Sequence, residues 1–230
     1  MLAPLLLFSI FLSAQDTVRH VGEFPASRYA GGAQAFYQFL GKTLRYPPRA
    51  KGTARVGTSI VELTLSSEGK FANLEVINPL GKGIDEDIMQ TFQKTEDQWL
   101  ALPGVSPIRM YFFITYMINK RSFYRMVPDS TLFQKEVSVN AYGSIHLPQR
   151  SNARLIKNLD KFQEKKNFKK ALKVVDELIR RDPLNSQWYL QRGSINDALG
   201  HREAVCQDLS KLRYFLKVAV TNELMKQYCD

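Results

Sequence analysis

The side chains best suited to catalysis or metal binding are scattered along this 230-residue chain. Its three histidines, His20, His146 and His201, are far apart in sequence and lack the spacing of zinc ligands. The sequence contains no glycine-rich phosphate loop, no Gly-x-Ser-x-Gly elbow and no Cys–His pair that could be argued for nucleophilic work. We therefore expect no catalytic residues, no metal and no cofactor.

An acidic run, Asp85-Glu86-Asp87, is the one cluster that could be read as a metal or acid–base site. Apolar residues recur every four positions behind it, at Ile84, Ile88 and Phe92, which indicates a helix. Adjacent residues on a helix point in different directions, and carboxylates in a first turn complement the positive end of the helix dipole. The run therefore favours a helix start over a site.

The N-terminal residues have the chemistry of an export signal. An apolar core of about eight residues is followed by the small residues Ser13 and Ala14, which predicts cleavage after Ala14. The core is too short to span a bilayer, so we expect an exported, soluble mature protein with no membrane span. A basic segment before the core is missing, and two alternatives remain: a start further upstream, or a buried strand or helix of the mature fold.

The cysteines, Cys206 and Cys229, are even in number, which in an exported chain favours a disulfide. The alternative is a buried, free Cys206 with an unpaired Cys229.

Composition indicates an ordinary globular protein with room for two small domains. Hydrophobic residues make up 44% of the chain and charged residues 23%. The formal net charge of +10 could attract nucleic acid or anionic lipid, but it is spread along the chain rather than concentrated. The lysines mostly occupy positions where helices need a solvated face, so we do not expect nucleic acid as a partner.

Hydrophobic periodicity predicts a helix, a hairpin and a second helix in the first half of the chain. Helical spacing runs from Ala33 to Leu44 and is stopped by Tyr46-Pro47-Pro48. Period-two alternation then predicts two strands around the turn at Glu68-Gly69. The acidic run begins the second helix.

A third predicted strand, Arg109 to Ile118, is apolar on both faces, so each face must be covered. The candidates for the second cover are the N-terminal leader, the connector at 123–150, or a partner protein or second copy. The connector contains an alternating segment, Glu136 to Tyr142, that predicts one more strand.

These features resemble, in their order along residues 24–118, the C-terminal domain of TonB. The resemblance rests on Gly31-Gly32, Tyr46-Pro47 with Ala50, the Glu68-Gly69 turn and Trp99. It implies an α+β fold with a small antiparallel sheet and helices. It also implies binding of a transporter peptide by addition of a strand to a sheet edge. The candidate edge is the third strand, and its partner-binding candidates are Arg109, Tyr111, Phe113, Thr115 and Met117.

From Ala153 onward the spacing is helical and resembles tetratricopeptide repeats, whose 34-residue unit packs two helices. The resemblance implies about two repeats and a terminal helix from Tyr214 to Tyr228, with Trp188 as a further contact candidate. So short an array should lean on the first domain or on the terminal helix. The expected organisation is a signal peptide at 1–14, a leader at 15–30, a TonB C-terminal-like domain at 31–122, a connector at 123–150 and an all-α helical-repeat domain at 151–230.

The function predicted from these features is protein–protein interaction or scaffolding in the periplasm. The implied partner is an outer-membrane transporter or another envelope complex, and a homodimer is an alternative. Two other hypotheses remain open at this point: an energy transducer whose true start lies upstream, and a module that binds peptidoglycan or the envelope surface.

Overall fold

A mixed five-stranded sheet occupies the first part of the chain. The structure is a computed structural model that describes residues 19–119, 134–143 and 151–230. The predicted signal peptide and much of the connector lie outside these residues, so cleavage after Ala14 stays a prediction. The strands are β1 (Arg19–His20), β2 (Gly57–Leu65), β3 (Phe71–Val76), β4 (Ile108–Ile118) and β5 (Val137–Ala141).

The strand order is β3-β2-β4, with β1 and β5 both paired to the far side of β4. β2 runs antiparallel to β3 and to β4, whereas β1 and β5 run parallel to β4. The α+β class is therefore confirmed, and so is the strand predicted in the connector. The sheet is mixed rather than purely antiparallel because two short strands from outside the predicted domain join it.

Three helices cover one face of the sheet: α1 (Gly32–Thr43), α2 (Pro48–Gly52) and α3 (Ile84–Gln93). Gly31 precedes α1 with φ of 80°, and a Cβ there would lie 2.8 Å from the Cβ of Ala35, so the turn requires glycine. The sequence did not predict α2. Pro47-Pro48 ends α1 as expected, but Pro48 also suits the first position of a new helix.

The main core lies between these helices and the sheet. Trp99 packs edge-on against Tyr29 and Phe36, with ring centroids 5.0 and 5.4 Å apart, and its indole N–H donates to Thr95 Oγ1. Among the other core residues are Leu40, Val61, Leu63, Ile88, Phe92, Met110, Phe112 and Ile114.

The second half of the described chain is helical, as predicted. It contains α4 (Asn152–Glu164), α5 (Phe168–Arg181), α6 (Ser186–Ala198), α7 (Arg202–Ser210) and α8 (Asn222–Cys229), and each helix packs against the next. Side chains of Ser151, Asn167, Asn185 and Thr221 cap the N-termini of α4, α5, α6 and α8. Whether these helices form tetratricopeptide repeats stays a prediction.

The expected continuous terminal helix, Tyr214 to Tyr228, is wrong. A π-helical turn at Lys211–Phe215 ends the α7 helix, and Lys217 has a positive φ of 57° that an α-helix does not accommodate. The chain resumes as α8 only where Thr221 accepts a hydrogen bond from the Leu224 N–H.

The second apolar face of the sheet packs against the helical region. Ile60, Tyr111 and Phe113 lie in one buried cluster with Phe215, and the rings of Tyr111 and Phe215 are 5.2 Å apart. The sequence did not predict that the helical region covers this face, because the expected covers were the leader, the connector, or a partner protein or second copy. The expectation that the helical array leans on the first domain is confirmed.

Replacing Phe215 should therefore destabilise both regions together. We expect Phe215→Ala to lower the free energy of unfolding by about 3–5 kcal/mol, because it leaves a cavity against Tyr111 and Phe113. Urea denaturation measures this loss of stability when the unfolding of the sheet and the unfolding of the helices are each followed by a separate spectroscopic signal. The neighbouring Tyr214 is 56% exposed, so Tyr214→Ala should cost no more than about 0.5 kcal/mol. Equal losses in the two variants would contradict the interface.

Candidate functional site

Strand β4 is central in the sheet, so its predicted role as a free edge is wrong. On one side it pairs with the whole of β2. On the other side β1 pairs with its start and β5 with its end. Between them the Val21 N–H donates to Arg109 O at 3.0 Å, and the Gln134 N–H donates to Tyr111 O at 2.8 Å. β4 was predicted to be an edge because β1, which has only two residues, is too short to show any periodicity in the sequence.

The five candidate residues on β4 do share one face, as period two predicts, but that face is largely buried. Tyr111, Phe113 and Thr115 are 8%, 1% and 5% exposed. Arg109 forms an ion pair with Glu62 at 3.2 Å, and Met117 is half-buried. A partner could reach the buried three only if the helical region moved away.

The polar groups on this face of β4 show the effects of burial. Thr58 and Thr115 place their hydroxyl oxygens 3.2 Å apart across β2 and β4. Burial, with a smaller contribution from the Glu62 charge, raises the pKa of Tyr111 to about 12. Trp188, the remaining candidate, is half-buried on α6 and packs with the core of the helical region.

The open edge of the sheet, among the described residues, is β3. The Ile77 N–H donates to Ile60 O at 2.9 Å, which makes these opposing residues a hydrogen-bonded pair. Opposing pairs alternate along an antiparallel ladder, so the backbone groups of Leu74 and Val76 point away from β2. No described residue accepts a hydrogen bond from either N–H.

At its start, the β3 edge is closed by a side chain. The Phe71 N–H donates to Glu96 Oε1 at 3.3 Å. Further along, the side chains of Ala72, Asn73 and Glu75 are exposed. The accessible backbone therefore begins after Phe71 and ends at Val76. Sequence periodicity identified this strand but could not show that it lies at an edge, because period two does not encode strand order.

The acidic run binds backbone groups of neighbouring loops. Asp85 accepts hydrogen bonds from the Leu80 and Gly81 N–H groups, each at 2.8 Å, and Asp87 accepts one from the Arg45 N–H at 2.9 Å. This agrees with the predicted helix start. Within the described ranges, no group of three or more His, Cys, Asp or Glu side chains is placed to hold a metal ion.

Cys206 on α7 and Cys229 on α8 have their sulfur atoms at disulfide distance, 2.11 Å, and their Cα atoms 5.0 Å apart. The Tyr228 hydroxyl also donates to Asp197 Oδ1 on α6 at 2.9 Å. Together these contacts hold the short α8 against the two preceding helices. Across the ranges that the structure describes, no helix is both long enough and apolar enough to cross a membrane.

Comparison with known proteins bears on the sheet region. Residues 42–115 match the family model described as the Gram-negative bacterial TonB protein C-terminal. The match runs from the end of α1 into β4 and includes β3 with its open edge. It does not reach the helical region. No curated protein and no solved structure matches the chain significantly.

The backbone segments that pair with β4 on the side of β1 and β5 are held together by one buried side chain. Gln134 is 2% exposed, and its Nε2 donates to Val21 O at 2.9 Å and Gly22 O at 3.0 Å. We expect Gln134→Leu to cost about 1–3 kcal/mol of stability, since both carbonyls lose their donor. Urea denaturation measures the loss of stability. In hydrogen exchange, the Val21 N–H should show the largest increase in exchange rate. Ser138→Ala, at an exposed position of β5, is the control; an equal effect would contradict this account.

The cysteine pair predicts a measurable cross-link. The two cysteines are 23 positions apart, for which the chain-entropy model gives about 3 kcal/mol of stabilisation, and Cys229→Ser should remove it. Reductant should destabilise the wild type by the same amount and leave the variant unchanged, as read by thermal denaturation of the helix signal. Two alkylatable thiols in the unreduced protein would contradict the bond.

Proposed function

We propose that this protein is a non-enzymatic, periplasmic component of a Gram-negative envelope that binds another protein through its sheet. The match of residues 42–115 to the TonB C-terminal family supports an envelope role linked to transport. Domains of that family contact outer-membrane transporters. A cysteine pair at disulfide distance fits an oxidising compartment outside the cytosol.

The observation that carries the binding mode is the open edge of β3. The Leu74 and Val76 backbone groups point outward, so an extended segment can add there as a further strand. Main-chain hydrogen bonds supply affinity in this mode, and alternate side chains supply specificity. An unpaired edge is otherwise a risk for aggregation, which a bound partner strand would remove.

The β4 side is the less suitable edge because the chain itself fills it. β5 presents Val137, Val139 and Ala141 inward, all buried, and these would have to leave before a partner strand could enter. Entry at β3 needs no such exchange. We therefore place the partner strand at β3, and we take the partner to be an outer-membrane transporter or another envelope complex.

A proline in β3 tests this site without breaking the sheet. Leu74→Pro removes an outward N–H, which edge strands tolerate, and leaves the hydrogen bonds to β2 in place. Leu74→Ala loses a comparable side chain but keeps the N–H. A photocrosslinker at the exposed Asn73 reports binding at this edge. We expect the wild type and Leu74→Ala to capture an envelope protein. Leu74→Pro should lose at least 90% of that cross-linked product, roughly the tenfold loss of affinity that about 1.4 kcal/mol represents.

Hydrogen exchange of β2 amides, unchanged in both variants, is the control for folding. Capture that survives in a folded Leu74→Pro protein would contradict binding at β3. A cross-linked product of twice the chain mass would instead show that the occupant is a second copy, which sedimentation of the wild type and the proline variant would confirm.

A further inference from the structure

A charged cleft of about 420 Å³ lies where the helical region meets the end of β3. Asn78 and Pro79 form its wall on the sheet side, and side chains from α5, α6, α7 and the π-helical turn form the rest. Its volume falls within the range of ligand-binding pockets, about 300–1,000 Å³. Three cations, Arg180, Arg192 and Lys211, and two carboxylates line it.

Both carboxylates in the cleft are already paired, and with the same arginine. Arg192 donates from Nε and Nη2 to Asp208, the Nη2–Oδ1 distance being 2.6 Å, and from Nη1 to Asp176 Oδ1 at 2.9 Å. Asp208 is buried, which makes this fork-like pairing strong. The three charges form a closed unit with net charge −1, and its groups are not free to bind a ligand.

Lys211 also lines the cleft but takes no part in the ion pairs among Arg192, Asp176 and Asp208. Among the described residues, no acceptor hydrogen-bonds to its Nζ and no carboxylate forms an ion pair with it, since the nearby Asp208 and Asp176 are both engaged by Arg192. Burial lowers the pKa of Lys211 and the Arg192 charge lowers it further, whereas the charges of Asp208, Glu75 and Asp176 act in the opposite direction without cancelling the shift. A half-buried ammonium without a partner is costly, so an anion entering the cleft would relieve that cost.

Arg180 is a second cation that lines the cleft. Its Nη2 pairs with Glu177, but its Nε is buried and has no hydrogen-bond partner. Burial lowers the pKa of Arg180 to about 10, and the charges of Arg55 and Arg181 contribute. The side-chain amides of Asn196 and Gln207 also line the cleft and can donate to an oxygen.

We propose that this cleft binds a carboxylate of a polypeptide, either a C-terminal carboxylate or an Asp or Glu side chain, with Lys211 as the principal contact. A singly charged carboxylate fits better than a doubly charged phosphate, because the net negative unit of Arg192, Asp176 and Asp208 repels a dianion more strongly. Amide donors and a net charge of +10 on the chain suit an acidic peptide approaching from solution. The inference does not depend on strand addition at β3, and either can fail without the other.

Pentapeptide libraries test the cleft with the full, oxidised chain. The first carries free C-termini without acidic side chains, the second has amidated C-termini with one Asp or Glu, and the third has amidated C-termini and no acid. Two-dimensional NMR of the lysine side chains should show shifts at Lys211 with the first or second library and none with the third. Which of the two binds distinguishes the sources of the carboxylate.

Lys211→Met should weaken peptide binding about 10- to 100-fold, as loss of a charge-assisted hydrogen bond predicts, and Lys211→Arg should restore most of it. Lys169→Met removes an exposed lysine outside the cleft and controls for net charge; it should change affinity less than about twofold. Binding that is unchanged in a folded Lys211→Met protein would overturn the proposal. So would saturable binding of inorganic phosphate with no binding of either carboxylate library.

Discussion

Burial of both faces of β4 is the constraint on which the rest of the structure depends. Nine of its eleven residues are aliphatic or aromatic and occur on both faces, so neither face can be left to water and the strand needs a layer above and a layer below. The helices α1 and α3 supply the first layer, through Phe36 and Phe92. The helical region supplies the second through Phe215.

The same constraint explains how so short a helical array can be ordered. Helical repeats gain stability from their neighbours, and a pair of repeats buries little surface alone. Here the sheet acts as the missing neighbour: Gly57 at the start of β2 lies so close to α5 that a Cβ would come within 2.7 Å of the Arg180 carbonyl oxygen. A glycine at that contact lets the two backbones approach. The two sequence regions therefore form one packed unit.

Much of this architecture could be predicted from the sequence, because its signals are local. Alternation in β2 and β3, the continuous apolar run of β4 and the four-residue spacing in α3 reflect which sides of each element are buried. Strand order is not local. The two residues of β1 and the five of β5 carry too little pattern to show that they would fill the edge of β4, and that placement changed which edge of the sheet is open.

The charged cleft was beyond prediction for a related reason. Its residues extend from Asn78 to Lys211, and no motif links them, so only the docking of the helical region against the sheet brings them together. The unusual state of Lys211 likewise depends on tertiary pairing. In sequence it is one lysine among many on a basic chain, and its ammonium has no ion-pair partner in the cleft because Arg192 engages both carboxylates that line it.

The open edge and the cleft are joined by a rigid connection. β3 leads directly into Asn78, whose side-chain amide donates to Thr58 O at 2.7 Å and whose carbonyl accepts from the Ser59 hydroxyl at 3.2 Å. These bonds tie the end of β3 to β2 beside the cleft wall that Asn78 and Pro79 form. Glu75, exposed on the same strand, contributes charge at Lys211. The open edge and the cleft wall therefore share one stretch of backbone, residues 76–78, although the two sites bind by different chemistry.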